Sequence, residues 1–578
     1  MTSKVHMKKL MLSNEAVARG AYESGVKVVS SYPGTPSTEI TEFIAKYPEI
    51  YSEWAPNEKV AAEVAIGASI AGARSMACMK HVGVNVAADP LFTAAYTGVN
   101  AGFVLVVADD PAMHSSQNEQ DSRYYALSAH IPMLEPSDAN EAKEYVKAAY
   151  ELSEEYDTPV FLRLTTRIAH SQSMVTLGER TEVGLKPYTK DPQKYVMMPA
   201  MARGRHIAVE DRENRLSEAA NTSPLNKIEY RNKKLGIVCA GAIYQYVKEA
   251  TDASIFKLGL VYPLPIEKIR EFASEVDELL VVEELEPFIE DKLKASGIPC
   301  RGKDIFGRQG ELSAAVIREK LYGETSPKSV FSPPGRPPVM CAGCPHRGIF
   351  YILKKLRITV SGDIGCYTLG ALKPLEAVDL CICMGASVGM AHGFDKAGAP
   401  QADNMVAVIG DSTFIHSGIT GVINAVYNKG RSTTIILDNS TTGMTGHQEN
   451  PSTGKTLKGE SATVLDLEAL VKALGVPSVR VVDAYDLKEA EAVIKEEVAK
   501  DTVSVIIARR PCVLLFKKHP APYFINEKCT KCRACLRIGC PAIENIGGTI
   551  KINAELCVGC GVCPKLCRFD AIESGENP

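Results

Sequence analysis

The sequence predicts a multidomain α/β protein with parallel sheets, ending in a small α+β module built on metal-binding cysteines. Three observations carry that expectation. Short apolar, β-branched runs alternate with stretches of helical length through most of the chain, the pattern of parallel strands joined by helical crossovers. One such unit is clear: Met405-Val406-Ala407-Val408-Ile409 breaks at Gly410-Asp411-Ser412, a helical segment follows, and Thr434-Ile435-Ile436-Leu437 closes on Asp438-Asn439. The third observation is the cysteines. Of 17, eight fall between Cys529 and Cys567, and such clustering reads as metal binding.

At 578 residues the chain is too long for one core. It is 45% hydrophobic and 23% charged with a net charge of −4, which suits a soluble protein and gives no reason to expect nucleic acid or an anionic membrane surface as partner. No window approaches about 18 uninterrupted apolar residues, and Met1-Thr2-Ser3-Lys4 leads into a polar segment without a signal peptide's apolar centre. The expectation is a cytoplasmic protein, whose thiols stay reduced.

Taken in order, residues 1–175 read as one α/β domain. Asn14 to Ser24 is helical by pattern and Val26 to Ser31 is a strand; Tyr32-Pro33-Gly34-Thr35-Pro36-Ser37 then leads into a helix start, whose free N–H groups attract anions. The small-residue helix from Asn57 to Arg74 carries Glu58 and Glu63, which do not share a face. One acid at the start of an otherwise apolar helix is costly unless it is paired or functional. Residues 176–230 lose periodicity and read as a linker. A second α/β segment spans 231–330, with strands at Leu235–Cys239, Lys257–Val261 and Glu278–Val282; Glu283, Glu284 and Glu286 behind the last read as a solvated acidic strand end. Pro333-Pro334-Gly335-Arg336-Pro337-Pro338 marks a boundary, after which 335–520 form the domain around Gly410–Asn439 and 521–578 the cysteine module.

Within that βαβ unit both strand ends carry hard oxygen ligands. Glycine lets backbone approach a diphosphate, while Asp411, Asn439 and a nearby carbonyl, that of Thr441, suit octahedral Mg²⁺. The spacing resembles the thiamine-diphosphate signature, Gly-Asp-Gly followed at an interval by Asn-Asn, with Ser412 in place of the last glycine and Asp438 in place of the first asparagine. Gly385, in a small-residue segment, and the polar loop Thr441-Thr442-Gly443-Met444-Thr445-Gly446 are the other candidates to line the cofactor.

The Tyr32–Ser37 loop, the Glu58 helix, Met79-Lys80-His81-Val82-Gly83-Val84-Asn85 and His114 to Arg123 together resemble the pyrimidine-binding domain of 2-oxoacid:ferredoxin oxidoreductases, with wording closest to the indolepyruvate-acting alpha subunits. The resemblance runs over about residues 10 to 570 and implies transketolase-like thiamine-diphosphate domains followed by a two-cluster ferredoxin-like domain. It implies that Glu58 bonds the aminopyrimidine ring of the cofactor and that Thr35 and Arg123 hold the substrate carboxylate. Residues 231–330 resemble the transketolase C-terminal domain.

Cys529-x₂-Cys532-x₂-Cys535-x₄-Cys540-Pro541 followed by Cys557-x₂-Cys560-x₂-Cys563-x₃-Cys567 is the bacterial two-cluster ferredoxin pattern, in which the fourth cysteine of each run ligates the other cluster. One [4Fe–4S] cluster is then expected on Cys529, Cys532, Cys535 and Cys567, the other on Cys557, Cys560, Cys563 and Cys540. Zinc is the rival reading. Cys341-x₂-Cys344, Cys366 after glycine and Cys512 after proline match, in order, the elements that hold a third, proximal cluster in family members that have one; scattered buried thiols are the alternative.

The activity so implied is oxidative decarboxylation of indolepyruvate and other arylpyruvates with coenzyme A, giving acyl-CoA, carbon dioxide and reduced ferredoxin. The family's gamma-type domain is missing from this sequence, which implies a separate, smaller beta subunit and an α₂β₂ assembly. Two other readings stay open: a non-oxidative thiamine-diphosphate decarboxylase with structural clusters, and an electron-transfer subunit that only docks a catalytic partner.

Overall fold

The structure, a computed structural model, describes residues 7–325, 335 and 337–575. Half of the proline-rich boundary (Pro333, Pro334 and Arg336) and the Met1–Lys4 segment lie outside the described residues. The chain divides into two compact units, residues 1–331 and 332–578.

The first unit is built on a seven-stranded sheet whose order is Leu260–Tyr262, Met133–Leu134, Val160–Thr165, Phe103–Asp109, Ser75–Lys80, Val28–Ser31 and Tyr51–Trp54. Every pairing is parallel except that of the first two strands. Its central strands are buried on both faces, which is why the strand Phe103–Asp109 is apolar without a break up to Ala108. A four-stranded sheet in the same unit orders Glu278–Val282, Leu235–Ala240, Ser254–Leu258 and Lys227–Glu229. The strand expected at Lys257–Val261 is in fact two. Ser254–Leu258 belongs to the small sheet, the chain turns at Gly259, and Leu260–Tyr262 joins the large one. A β-carbon on Gly259 would lie 2.4 Å from the Leu225 carbonyl, so the turn needs glycine.

Residues 176–230, expected as a linker, contain the 22-residue helix Pro199–Ala220. The helix carries no apolar stripe, so periodicity cannot reveal it. It is docked by arginines: Arg205 Nε donates to the Tyr96 carbonyl at 2.6 Å and Arg212 Nη2 to that of Ala95 at 2.9 Å. Both carbonyls belong to the last turn of the helix His81–Thr97, where backbone acceptors are otherwise unsatisfied.

The second unit holds a five-stranded, all-parallel sheet in the order Thr359–Ser361, Met405–Gly410, Thr433–Asp438, Ser504–Arg509 and Ser478–Asp483. The helix that follows Gly410 starts at Asp411–Thr413, passes through a π-helical turn at Phe414–Gly418 and resumes as regular α-helix over Ile419–Tyr427, a distortion often found at functional sites. The C-terminal module pairs Tyr523–Ile525 with Ile572–Ser574 and Ile543–Ile546 with Thr549–Ile552, both antiparallel. Short 3₁₀ turns at Ala534–Ile538 and Pro564–Leu566 sit within the two cysteine runs. Among the described residues no helix is long and apolar enough to cross a membrane.

Candidate active site and metal centres

Parallel strands end together, and in the second unit Met405–Gly410 and Thr433–Asp438 deliver Asp411 and Asn439 to one edge of the sheet. Both residues are buried. The side-chain oxygen of Asn439 lies 2.8 Å from the Thr441 carbonyl and 3.2 Å from Asp411 Oδ1. Turning the amide would convert both contacts to hydrogen bonds; leaving it as placed gives three oxygens converging on one point. Asp411 Oδ2, also buried, has no hydrogen-bond partner. Burial pushes the Asp411 carboxyl up to about 8, with the nearby Asp438 adding to the effect. An orphan carboxylate among converging acceptors is what a hard dication satisfies, so the residues fit Mg²⁺.

The two departures from the expected motif have local accounts. Asp438 accepts from Arg509 Nε at 2.8 Å on the neighbouring strand, so the acid is held by a cation that an asparagine would not need. Ser412 accepts from Thr442 Oγ1 at 3.0 Å, tying the strand end to the loop beyond Asn439. That loop begins with Ser440 at φ 58°, a left-handed conformation seldom taken by serine and common beside ligand sites. Thr445 Oγ1 donates to Gln448 Oε1 at 2.5 Å and holds the loop's far side, while Met444 is exposed. A β-carbon on Gly443 would sit 3.5 Å from the Asn439 amide and 3.4 Å from Cys366 Sγ, which places the loop between a metal ligand and a cysteine.

Asp363 is a site residue that sequence reasoning missed, although it stands only three residues before Cys366. Its carboxylate accepts from the backbone of Gly385 at 2.8 Å and of Ser387 at 3.0 Å, capping the helix Ala386–Lys396. Gly385 has φ +83°, and a β-carbon there would lie 2.4 Å from Ser417 Cβ.

Twelve of the 17 cysteines fall into three groups. Burial pushes up the thiol of Cys535, with Cys529, Cys532 and Cys567 nearby; the same four line one small cavity. Burial likewise raises the thiol of Cys560, next to Cys540 and Cys557, and those three with Cys563 line a second cavity. Cys344 is pushed up to about 12 by burial, with Cys366 and Cys341 nearby; Cys366 rises to about 11 by burial, beside Cys512 and Cys341. Cys512 donates its backbone N–H to the Asn439 carbonyl at 2.9 Å, which joins this third group to the Asp411 site. Among the described residues no three His, Cys, Asp or Glu side chains are close enough to grip a single ion. Backbone N–H groups are already aimed at sulfur, from Tyr523 to Cys557 and from Ala571 to Cys567, each at 3.4 Å.

In the first unit Glu58 opens the helix Glu58–Ile70 and is buried. Gly83, within the Met79–Asn85 motif, faces it: a β-carbon on Gly83 would lie 2.7 Å from Glu58 Cγ and 2.8 Å from Oε1. Thr35 is half-buried in its loop, where Ser115 Oγ donates to the Thr35 carbonyl at 3.4 Å.

Arg123 is a correction. The guanidinium is buried, donates through Nε to Asp121 Oδ1 at 2.8 Å and through Nη1 to Glu283 Oε2 at 2.5 Å, and through Nη2 reaches the carbonyls of Glu284 and Glu286 at 3.1 Å each. Its fork is taken up by the protein, so it is a structural cation and not a free hold for a substrate carboxylate. The same contacts correct the acidic strand end: Glu283 and Glu284 are buried, not solvated, and burial pushes Glu284 up to about 7. Replacing Arg123 by methionine is expected to strand Asp121 and Glu283 and to cost about 3–5 kcal/mol of stability, seen as a lower unfolding midpoint.

Two family models match the chain. Residues 19–230 match the thiamine-diphosphate-binding domain of pyruvate flavodoxin/ferredoxin oxidoreductases, and residues 363–508 the C-terminal binding domain of thiamine pyrophosphate enzymes. The indolepyruvate oxidoreductase subunit IorA of Archaeoglobus fulgidus is 40% identical over 99% of this chain and 98% of its own length. Its counterpart in Pyrococcus horikoshii is 41% identical over 98% and 97%. A 2-oxoglutarate synthase subunit KorA of Methanothermobacter marburgensis is 25% identical over 47% of this chain and 86% of its own. With that identity sustained over nearly the whole of both chains, this chain belongs to the indolepyruvate oxidoreductase IorA family.

Proposed function

We propose that this chain is the catalytic subunit of a ferredoxin-linked 2-oxoacid oxidoreductase that converts indolepyruvate and other arylpyruvates, with coenzyme A, to acyl-CoA and carbon dioxide. One observation carries the reading: three cysteine groups and a buried convergence of carboxylate, amide and carbonyl oxygens occupy one compact unit, joined by the bond from Cys512 N–H to the Asn439 carbonyl. A decarboxylase without electron transfer has no use for that proximity.

Thiamine diphosphate, when bound, supplies the electron sink that lets carbon dioxide leave a 2-oxoacid. Asp411, Asn439 and the Thr441 carbonyl would hold Mg²⁺ for the cofactor's diphosphate, with Gly410 and Ser412 at the strand end and the Gly443–Thr445 loop as the residues to cover it. Glu58 meets the cofactor's pyrimidine end, and Thr35 offers its hydroxyl to the substrate carboxylate. Clusters on the three cysteine groups supply one-electron acceptors. Cys366, beside Gly443, makes the group of Cys341, Cys344, Cys366 and Cys512 the first reached from the diphosphate loop. Cys344 also lines the cavity of Cys540, Cys557, Cys560 and Cys563, and Cys535 is among the neighbours of Cys563. The order of groups is therefore proximal, then the Cys557 run, then the Cys529 run. Electrons leave to ferredoxin. A smaller beta subunit completes an α₂β₂ enzyme.

The test is an anaerobic assay of the purified complex with arylpyruvates, coenzyme A and a viologen dye. Dye reduction that requires both substrate and thiamine diphosphate is expected; aldehyde without dye reduction, or reduction indifferent to thiamine diphosphate, overturns the reading. Three clusters correspond to about twelve irons per chain. A Cys366→Ala chain is expected to lose the proximal cluster's share of that iron and to stop substrate-dependent dye reduction, while the two C-terminal clusters remain reducible by dithionite.

A further inference from the structure

Arg347, in the helix His346–Leu356, is a buried cation with no carboxylate partner among the described residues. Its hydrogen-bond acceptors are all backbone carbonyls: Cys341 from Nε at 3.0 Å, Met340 from Nη2, and Ile538 at 3.4 Å and Gly539 from Nη1. Met340 and Cys341 lead the proximal cysteine run; Ile538 and Gly539 immediately precede Cys540. The side chain thus joins the two segments and lines the cavity that Cys540, Cys557, Cys560 and Cys563 share. The two groups are close together here, since a β-carbon on Gly343 would lie 3.4 Å from Cys560 Cβ. Burying a guanidinium is expensive unless an anion answers it, and the groups beside this one are Cys341 and Cys344 of one cysteine group and Cys540 and Cys560 of another, whose clusters, when bound, would carry the negative charge.

We infer that Arg347 is a positioning residue for electron transfer, whose fixed charge raises the reduction potentials of the clusters held by Cys341, Cys344, Cys366 and Cys512 and by Cys540, Cys557, Cys560 and Cys563. The sign follows from charge. Reduction adds one electron to a cluster, and a neighbouring cation stabilises the more negative state. Because the charge sits between the two groups, it lifts both acceptors together and keeps the step between them shallow. The inference rests on the three-cluster reading above.

The experiment compares wild type, Arg347→Lys and Arg347→Gln as full chains in the assembled, anaerobically purified enzyme, by iron content and by potentiometric titration followed by electron paramagnetic resonance. Glutamine keeps a donor and loses the charge; lysine keeps the charge and loses the fork. The glutamine enzyme is expected to hold its iron and to shift both clusters to more negative potential by about tenfold in the reduction equilibrium, about 59 mV for a one-electron couple. The lysine enzyme is expected to stay near wild type. Unchanged potentials in an iron-replete glutamine enzyme overturn the inference, as does a lysine enzyme that shifts as far as the glutamine one. Loss of iron from both variants also overturns it, since the arginine would then be a strut. If glutamine alone loses iron, charge is what the clusters require, and wild-type potentials in the lysine enzyme sustain the assignment. A wild-type enzyme with fewer than three clusters overturns the underlying reading instead, before any variant is compared.

Discussion

Glu58→Gln is expected to lower kcat by about 10²–10⁴-fold, the range typical of losing a positioned acid–base group, while iron content and dithionite-reducible signals stay at wild-type level. The residue is placed with care. Asn57 caps the helix by accepting from Val60 N–H at 2.9 Å, which fixes the first turn on which Glu58 stands. The opposite wall is Gly83, whose missing β-carbon leaves the space the glutamate occupies. A companion variant follows from that contact. Gly83→Ala puts a methyl 2.7 Å from Glu58 Cγ, and is expected to lower kcat in the same sense although it alters no functional group. Steady-state kinetics with saturating thiamine diphosphate checks both. Wild-type turnover in the glutamine enzyme would remove Glu58 from the chemistry and reopen the electron-transfer-subunit reading.

Asp411→Asn is expected to abolish Mg²⁺-dependent thiamine diphosphate binding, and its effect on the apoprotein has the opposite sign. Burial pushes the Asp411 carboxyl of the folded protein up to about 8, from the 3.8 ordinary for an aspartate. Folded protein therefore holds this proton more tightly than unfolded protein. The stability the group contributes is fully present below about pH 4 and is lost as pH rises through about 8. Asparagine carries no such penalty, so the variant apoprotein is expected to be the more stable of the two near pH 8, by an amount on the order of a few kcal/mol. Mg²⁺ reverses the order, because the ion needs the carboxylate ionised. Wild type should gain thermal stability from Mg²⁺ with thiamine diphosphate, increasingly so toward alkaline pH, and the variant should gain none. Melting curves at several pH values with and without the ligands decide it; an equal response in the two proteins would take Asp411 out of the metal site.

How far the sequence is legible depends on how local the signal is. The strand ends bearing Asp411 and Asn439 are legible because glycine, acid and amide recur at a spacing that parallel strands impose. The cysteine runs are legible because soft ligands at short, regular intervals have few other uses. Arg123 misleads because a sequence cannot say whether a guanidinium faces substrate or protein, and its partner Glu283 comes from a distant strand. The Pro199–Ala220 helix stays hidden because it is held by arginines at another helix's carbonyl end, not by an apolar stripe. Arg347 leaves a faint trace, a lone cation on the buried side of an otherwise apolar helix face. Asp363 leaves none beyond its neighbours, since its work is to cap a helix that begins more than twenty residues later.

The third cysteine group is also a long-range staple. Cys341 precedes the five-stranded sheet and Cys512 follows its last strand in sequence, so one cluster on that group closes a loop containing nearly the whole α/β part of the unit. A covalent cross-link around a loop longer than ~100 residues removes about 5 kcal/mol of conformational entropy from the unfolded chain. Iron would then be part of this domain's mechanical integrity as well as its redox chemistry. Oxygen that dismantles the cluster would leave a chain that is both inactive and easier to unfold, which ties the lifetime of the protein to the state of its metal.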